Sequence, residues 1–263
     1  MMRSVLGIDA AWTHVEPSGV ALVTDDGGGW RLLKVASSYH AFLCDHLSMN
    51  ARHRGSSPDP QALLAKSVSD AGSAITIVAI DMPLSTVPIV GRRTSDDLIS
   101  SLYGARHAGT HSPNALRPGK LSDELTIAFQ REGYPLLTSE NSLSGLIEVY
   151  PHPALIELAS AARRLPYKHA KSGKYWPGET STVRRQKLFE IWQHIVDLLE
   201  RQLQGAAAAL VLPDLGCRSY ELKAFEDALD AVVCAWVGTC VLDGTAKAYG
   251  DDRSAIWIPT GVS

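Results

Sequence analysis

Three segments far apart in the chain each set a carboxylate in an apolar run. They are Val5-Leu6-Gly7-Ile8-Asp9, Ile77-Val78-Ala79-Ile80-Asp81 and Glu226-Asp227-Ala228-Leu229-Asp230-Ala231-Val232-Val233. Burying a carboxylate without a partner is costly, and an isolated one takes up a proton instead. Acids at two strand ends, with two more on an apolar helix, therefore call for a cation. The simplest arrangement is a cluster of Asp9, Asp81, Asp227 and Asp230 that holds a divalent metal. Asp227 and Asp230 stand at i and i+3 and so share one helix face. Each acid alone has a plainer reading, because aspartate also makes turns where strands stop and pairs with arginine on helices. Glu148, in Leu146-Ile147-Glu148-Val149-Tyr150-Pro151-His152-Pro153, is a further candidate. It would act as a ligand or orient a base or water; the alternative is a strand residue facing solvent.

Lys168, Arg92, Arg93, Arg106, Arg184 and Arg185 are candidate phosphate contacts, since guanidinium groups match phosphate with paired donors. Residues 163–187 carry eight Lys/Arg against one acid, Glu179, and Tyr167, Tyr175 and Trp176 lie among them, where they could stack on bases. A solvated basic surface is the competing reading, and Arg92-Arg93 ahead of Asp96-Asp97 also fits local ion pairs. The net charge of −3 does not by itself mark a nucleic-acid binder. His107 and His111 lie at i and i+4, but no glutamate follows the first as a zinc protease requires. His152 sits between two prolines near Glu148, placed for either a site or a structural role. No serine elbow, Walker loop or dinucleotide glycine pattern is present. Cys44, Cys217, Cys234 and Cys240 form no CxxC pair, which points to buried free thiols in a reducing compartment. The run from Ala206 to Leu212 is too short to cross a bilayer and no leader is apparent, so a cytoplasmic protein without a membrane partner is expected.

Several elements must position these groups. Buried strands are predicted at Ser4–Ala10, Ser18–Thr24 and Trp30–Ser37, the last two joined by the turn Asp26-Gly27-Gly28-Gly29. A helix over Pro60–Gly72 and a central strand over Ile75–Asp81 follow. Residues 84–145, rich in Gly, Pro, Ser and charge, read as a large insertion over the strand ends with helices at Ser95–Leu102 and Ser122–Glu132. A short strand at Ile147–Tyr150 precedes a helix at Pro153–Arg163. Long helices are predicted at Val183–Gln204 and Tyr220–Leu242, and a last strand at Ala255–Pro259. With a length of 263 residues and 45% apolar content, this is one α/β domain spanning 1–263 with a mixed sheet and flanking helices.

Gly7-Ile8-Asp9, followed by Ser18-Gly19-Val20-Ala21, resembles the opening of RNase H-like nucleases, the Holliday-junction resolvase branch above all. Ala79-Ile80-Asp81 falls where that superfamily carries its second acid, and Asp227-Ala228-Leu229-Asp230-Ala231 looks like the resolvase C-terminal helix motif. Nearly the whole chain, including Glu148 to Pro153 and Tyr167-Lys168, is similar to a bacterial and archaeal family of expected RNase H-like nucleases, domain of unknown function family 429. The resemblance implies a five-stranded RNase H-like sheet: three antiparallel strands, then two parallel to the first, with the large insertion after the fourth strand. It also implies Mg²⁺ or Mn²⁺ at the acids. Two departures are an Asp where resolvases often have Glu as the second acid, and the long insertion.

The expected activity is metal-dependent phosphodiester hydrolysis of nucleic acid, DNA or RNA. Two metals about 4 Å apart can activate water and neutralise the leaving oxygen, and hard ions choose oxygen ligands. In that scheme Asp9 bridges, Asp81 binds one metal, and Asp227 or Asp230 the other. Two other classes stay open: a catalytically inactive RNase H-like module that binds nucleic acid or protein, and an actin-like ATPase or kinase relative. The insertion could serve as lid, homodimer surface or specificity element.

Overall fold

The computed structural model describes residues 2–44, 51–142 and 144–261. The expected 1–263 domain and the 84–145 insertion therefore include a few positions outside the described residues, among them Leu143.

Strands β1 (Arg3–Asp9), β2 (Gly19–Asp25) and β3 (Arg31–Ala36) form an antiparallel meander. Short helix α1 (Tyr39–Leu43) and helix α2 (Pro60–Ala71) come next. Asp59 caps α2 by accepting from Ala62 N at 3.0 Å, with Pro60 in the first turn. Strand β4 (Ile77–Ile80) then enters the sheet parallel to β1. Helices α3 (Thr94–Tyr103) and α4 (Lys120–Arg131) occupy the segment before β5 (Gly145–Val149), which is parallel to β4. Helices α5 (Pro151–Leu158), α6 (Ser172–Tyr175), α7 (Ser181–Gln202), α8 (Ala206–Ala209) and α9 (Ser219–Leu242) precede the final hairpin, β6 (Ala246–Gly250) and β7 (Ala255–Pro259).

The sheet runs β3-β2-β1-β4-β5-β7-β6. It has seven strands, so the five-stranded expectation is corrected. Strand β7 adds to β5 in parallel, and β6 folds back antiparallel on β7. The sequence hides β6 because Ala246-Lys247-Ala248-Tyr249-Gly250 is a half-buried edge strand that turns only the small side chains of Ala246 and Ala248 to the main core. The expectation of buried thiols is also corrected for Cys44, which is exposed at the end of α1, while Cys234 and Cys240 are buried. No helix among the described residues is long and apolar enough to cross a membrane.

Both faces of the sheet are covered, which explains why its central strands are apolar without alternation. Val5, Ala21, Ile77, Ala79 and Ile147 pack against α5, α7 and α9. Leu6, Ile8, Val20, Val78, Ile80 and Leu146 pack against α1, α2 and α4. Each buried aliphatic side chain contributes roughly 1.5–3 kcal/mol relative to exposure.

Helix α9 lies against β1 closely enough to require glycine. A Cβ on Gly7 would stand 2.3 Å from Ala231 O, one on Gly19 2.0 Å from Asp227 O, and one on Gly238 2.4 Å from Val5 Cγ1. Asp227, Ala231, Ala235 and Gly238 follow a helical face, and their contacts run from the Asp9 end of β1 back to Val5. Helix α9 is therefore antiparallel to β1, with its acids over the strand's last residue.

Candidate active site

Strand alternation decides which acids meet. Asp9 falls on the same face of β1 as Val5 and Gly7, the face that α9 covers. Asp81 continues β4 past Ile77 and Ala79, on that same face, and its N–H donates to Ile8 O at 2.9 Å. Asp227 lies over Gly19, which pairs with Asp9 across the β1–β2 ladder. One turn further on, Asp230 reaches the same crevice, where its charge acts on both Asp9 and Asp81. The four predicted acids thus converge at the C-terminal ends of two adjacent parallel strands, the place where open α/β sheets bind ligands.

Glu148 goes elsewhere. It pairs with Ile80 in the β4–β5 ladder and points with Leu146 to the face opposite α9. There Arg93 donates to its carboxylate twice, at 2.5 and 2.7 Å, and Leu84 N donates at 2.8 Å. Arg93 also binds Asp96 through two donors at 2.9 Å and the Leu84 carbonyl at 2.8 Å. Burial lifts Glu148 to about 7 against the pull of Arg93. This buried pair fastens the segment after β4 to β5.

The α9 acids have resident cations. Lys168 Nζ contacts Asp230 Oδ2 and lies 3.4 Å from Glu226, while the Tyr167 hydroxyl donates to Asp230 Oδ1 at 2.8 Å. Lys223 Nζ contacts Asp227 Oδ1, but Asp227 Oδ2 is buried without a partner among the described residues. Glu226 accepts from His169 N at 2.8 Å. Burial acts against its ionisation, yet Lys168 and His169 together hold it at about 2.

The carboxylates of Asp9 and Asp81 make no hydrogen bonds among the described residues. They line a cleft of about 470 Å³ whose other walls include Trp12, His111, Asn114 and Arg117. Burial, then the Asp230 charge, lifts Asp9 from 3.8 to about 6, although Lys168 and Lys223 pull it down. Burial and the charges of Asp9 and Asp230 push Asp81 well above the usual carboxylate range. Burial does the same to Asp227 despite Lys223. Five carboxylates, counting Glu226, face two ammonium groups, and the surplus acids are the ones pushed toward their protonated forms.

The predicted phosphate contacts divide. Lys168 is inside the site as the partner of Asp230. Arg92 is tied to Asp97 at 2.5 Å, Ser100 at 2.7 Å and Asp96 O at 2.8 Å, which matches the local ion-pair alternative. Arg106 binds Glu157 and Ala161 O at 2.9 and 2.7 Å. Arg184 donates to Glu179 O at 2.8 Å, and Arg185 to Leu215 O and Cys217 O at 2.5 and 3.0 Å. These four arginines brace local backbone and neighbouring acids. Sequence reasoning missed Lys223, Glu226, Tyr167 and His169 as parts of the cluster. Lys223 and Glu226 had a readable signal, their i, i+4 spacing to Asp227 and Asp230.

The model of the family described as "Protein of unknown function (DUF429)" matches residues 7–254. The chain belongs to the DUF429 family. The matched span reaches from Gly7, two residues before Asp9, to the start of β7, and so takes in every acid of the crevice. No curated protein and no solved structure matches the chain.

In this DUF429 protein the donor set suits a hard divalent ion: carboxylate oxygens only, two groups without partners and a third with a buried orphan oxygen. Among the described residues no three His, Cys, Asp or Glu side chains stand together at metal-ligand spacing. The arrangement seen is the lysine-neutralised one. Lys223, whose side chain is 40% exposed, borders solvent, whereas the Lys168 ammonium is held by Asp230 and Glu226 and lies 5.0 Å over the centre of the Tyr167 ring.

Proposed function

We propose that the protein is a metal-dependent nuclease that hydrolyses phosphodiester bonds of nucleic acid, with Mg²⁺ or Mn²⁺ at the acid crevice. One observation carries the reading: among the described residues, Asp9 and Asp81 line one open cleft with no side-chain partner, and Asp227, close enough to feel the Asp9 charge, keeps a buried oxygen unpaired. The β1–β5 part of the sheet supports it. Three antiparallel strands are followed by two parallel to the first, as an RNase H-like relation requires, and the β7–β6 hairpin extends that sheet at one edge.

Asp9, Asp81 and Asp227 would hold the metal, with Asp227 giving up Lys223. Bound there, the ion would supply an activated water and neutralise the leaving oxygen. Asp230, with both oxygens engaged, fixes Lys168 as a permanent positive charge beside the reacting phosphate. Trp12 offers a ring at the cleft wall, where a base can stack. Purified protein should cleave DNA, RNA or branched substrates only with Mg²⁺ or Mn²⁺, and Asp9→Ala should abolish cleavage. Equal cleavage by the variant would identify a contaminant and overturn the reading.

The lysine pairing favours one alternative, an RNase H-like module that binds nucleic acid without cleaving it. Its signature is nucleic-acid binding that is indifferent to Mn²⁺, with no Mn²⁺ uptake by calorimetry. A homodimer and a cytoplasmic setting are compatible with either reading.

A further inference from the structure

Beside the acid crevice, the loop after α5 carries an arginine with two donors that have nothing to bind among the described residues. Arg164 is half-buried, and its Nε and Nη2 are both shielded from solvent without a partner among the described residues. Its backbone is fixed, because Arg164 N donates to Arg106 O at 2.8 Å and Arg106 in turn donates to Ala161 O at 2.7 Å. His152, 8% exposed, likewise has a buried Nδ1 with no partner among the described residues. Its ring meets those of Tyr150 and Tyr167 edge-on at 5.3 and 5.4 Å, and Tyr167 donates to Asp230. One aromatic ring therefore separates His152 from the acid cluster.

Folded proteins rarely leave buried donors idle, and a charged donor left so costs more than a neutral one. A planar guanidinium with two free N–H groups on one side is shaped for an oxyanion. The local field agrees. Burial and then Arg164, Lys168 and Lys171 hold His152 well below the usual imidazole range. Burial and then Lys171, Arg164 and Arg117 lower His111, which lines the cleft with Asp9 and Asp81. Lys171 is itself lowered by burial and by Arg164, Lys168 and Lys174. Cations are crowded here, and the anion that acts on Lys171, Glu226, is already engaged by Lys168 and His169.

We propose that Arg164, Lys171 and His152 form a phosphate-binding subsite that takes a backbone phosphate of the nucleic acid next to the one at the acids. The subsite rests on the nuclease reading for the identity of its ligand but not for its existence. It sets register, holding the strand so that a neighbouring phosphodiester lies over Asp9 and Asp81.

The test is calorimetric titration of the full chain with inorganic phosphate in EDTA, at constant ionic strength. The wild type is expected to bind saturably, Arg164→Ala to bind at least 10-fold more weakly, and Arg164→Lys to recover only part of the loss. The exposed neighbour Arg163→Ala should stay within twofold of wild type. A phosphate-dependent shift of the His152 Nδ1 resonance is the second readout. Should Arg164→Ala fail to fold, Lys171→Ala replaces it under the same criterion. No saturable binding by the wild type, or equal losses in the Arg163 and Arg164 variants, would overturn the subsite. Because the titration needs neither metal nor turnover, phosphate binding without Mn²⁺-dependent cleavage would leave the subsite standing and remove the nuclease reading. Cleavage without phosphate binding would do the reverse.

Discussion

Replacing Asp9 with Asn is the sharpest probe of the acid crevice, because it removes a charge and little else. In the folded protein the Asp9 carboxyl is raised from 3.8 to about 6, first by burial and then by the Asp230 charge. A rise of that size corresponds to about 3 kcal/mol in favour of the protonated form. Water in the open cleft screens part of it, leaving about 1–2 kcal/mol. A folded-state value above the unfolded one means stability that is complete below the unfolded value and lost as pH rises through the folded one. The wild type should therefore weaken relative to Asp9→Asn between about pH 4 and pH 6. At pH 7.5 in EDTA the variant should melt higher by about 2–8 °C, at roughly 2–4 °C per kcal/mol for a chain of this size. The difference should shrink as pH falls to 4, where Asp9 is protonated in the folded protein and about half protonated in the unfolded chain, and should vanish only below about pH 3. Asp81 adds to the effect, because the Asp9 charge is one of those that raise it. Mn²⁺ should reverse the order at pH 7.5 by stabilising only the wild type. Scanning calorimetry across that pH range reads all of this. A variant less stable than wild type at pH 7.5 in EDTA, or a difference that does not change between pH 4 and 7.5, would refute the claim that these acids await a cation.

Gly19→Ala would set a methyl group 2.0 Å from the Asp227 carbonyl oxygen. Displacing α9 should cost about 3 kcal/mol or more in urea denaturation and weaken Mn²⁺ uptake; a loss under 1 kcal/mol would show that the helix does not rest on β2 as described. Arg93→Ala should cost about 3–5 kcal/mol, because it strands the buried carboxylates of Glu148 and Asp96. Phosphate affinity should be unchanged per folded molecule, and a folded variant that loses phosphate binding would make Arg93 a ligand rather than a brace.

The apolar strands were legible because the sheet is covered on both faces, so β1 and β4 read as continuous hydrophobic runs that end in an acid. Helix α2 was legible from Asp59, Pro60 and Gly72, whose roles are set by local backbone geometry. Strand β6 was not, because an edge strand needs no apolar signature and is held by its ladder to β7. Arg92 and Arg93 looked like phosphate contacts because sequence gives charge but not direction. Three residues of register and one loop turn them onto Asp96, Asp97 and Glu148 instead.

The sequence by itself determined that Asp9, Asp81, Asp227 and Asp230 occupy apolar elements, since composition and periodicity are local properties. Their order along the chain also determined which strands and which helix had to meet. Only the tertiary structure decided that Asp9 and Asp81 face α9 while Glu148 faces away, because a side chain's face depends on strand register. Only it revealed that Lys168 and Lys223 already neutralise part of the cluster. It alone left Asp227, Arg164 and His152 with idle buried atoms, because a missing partner is a property of three-dimensional packing that no spacing records.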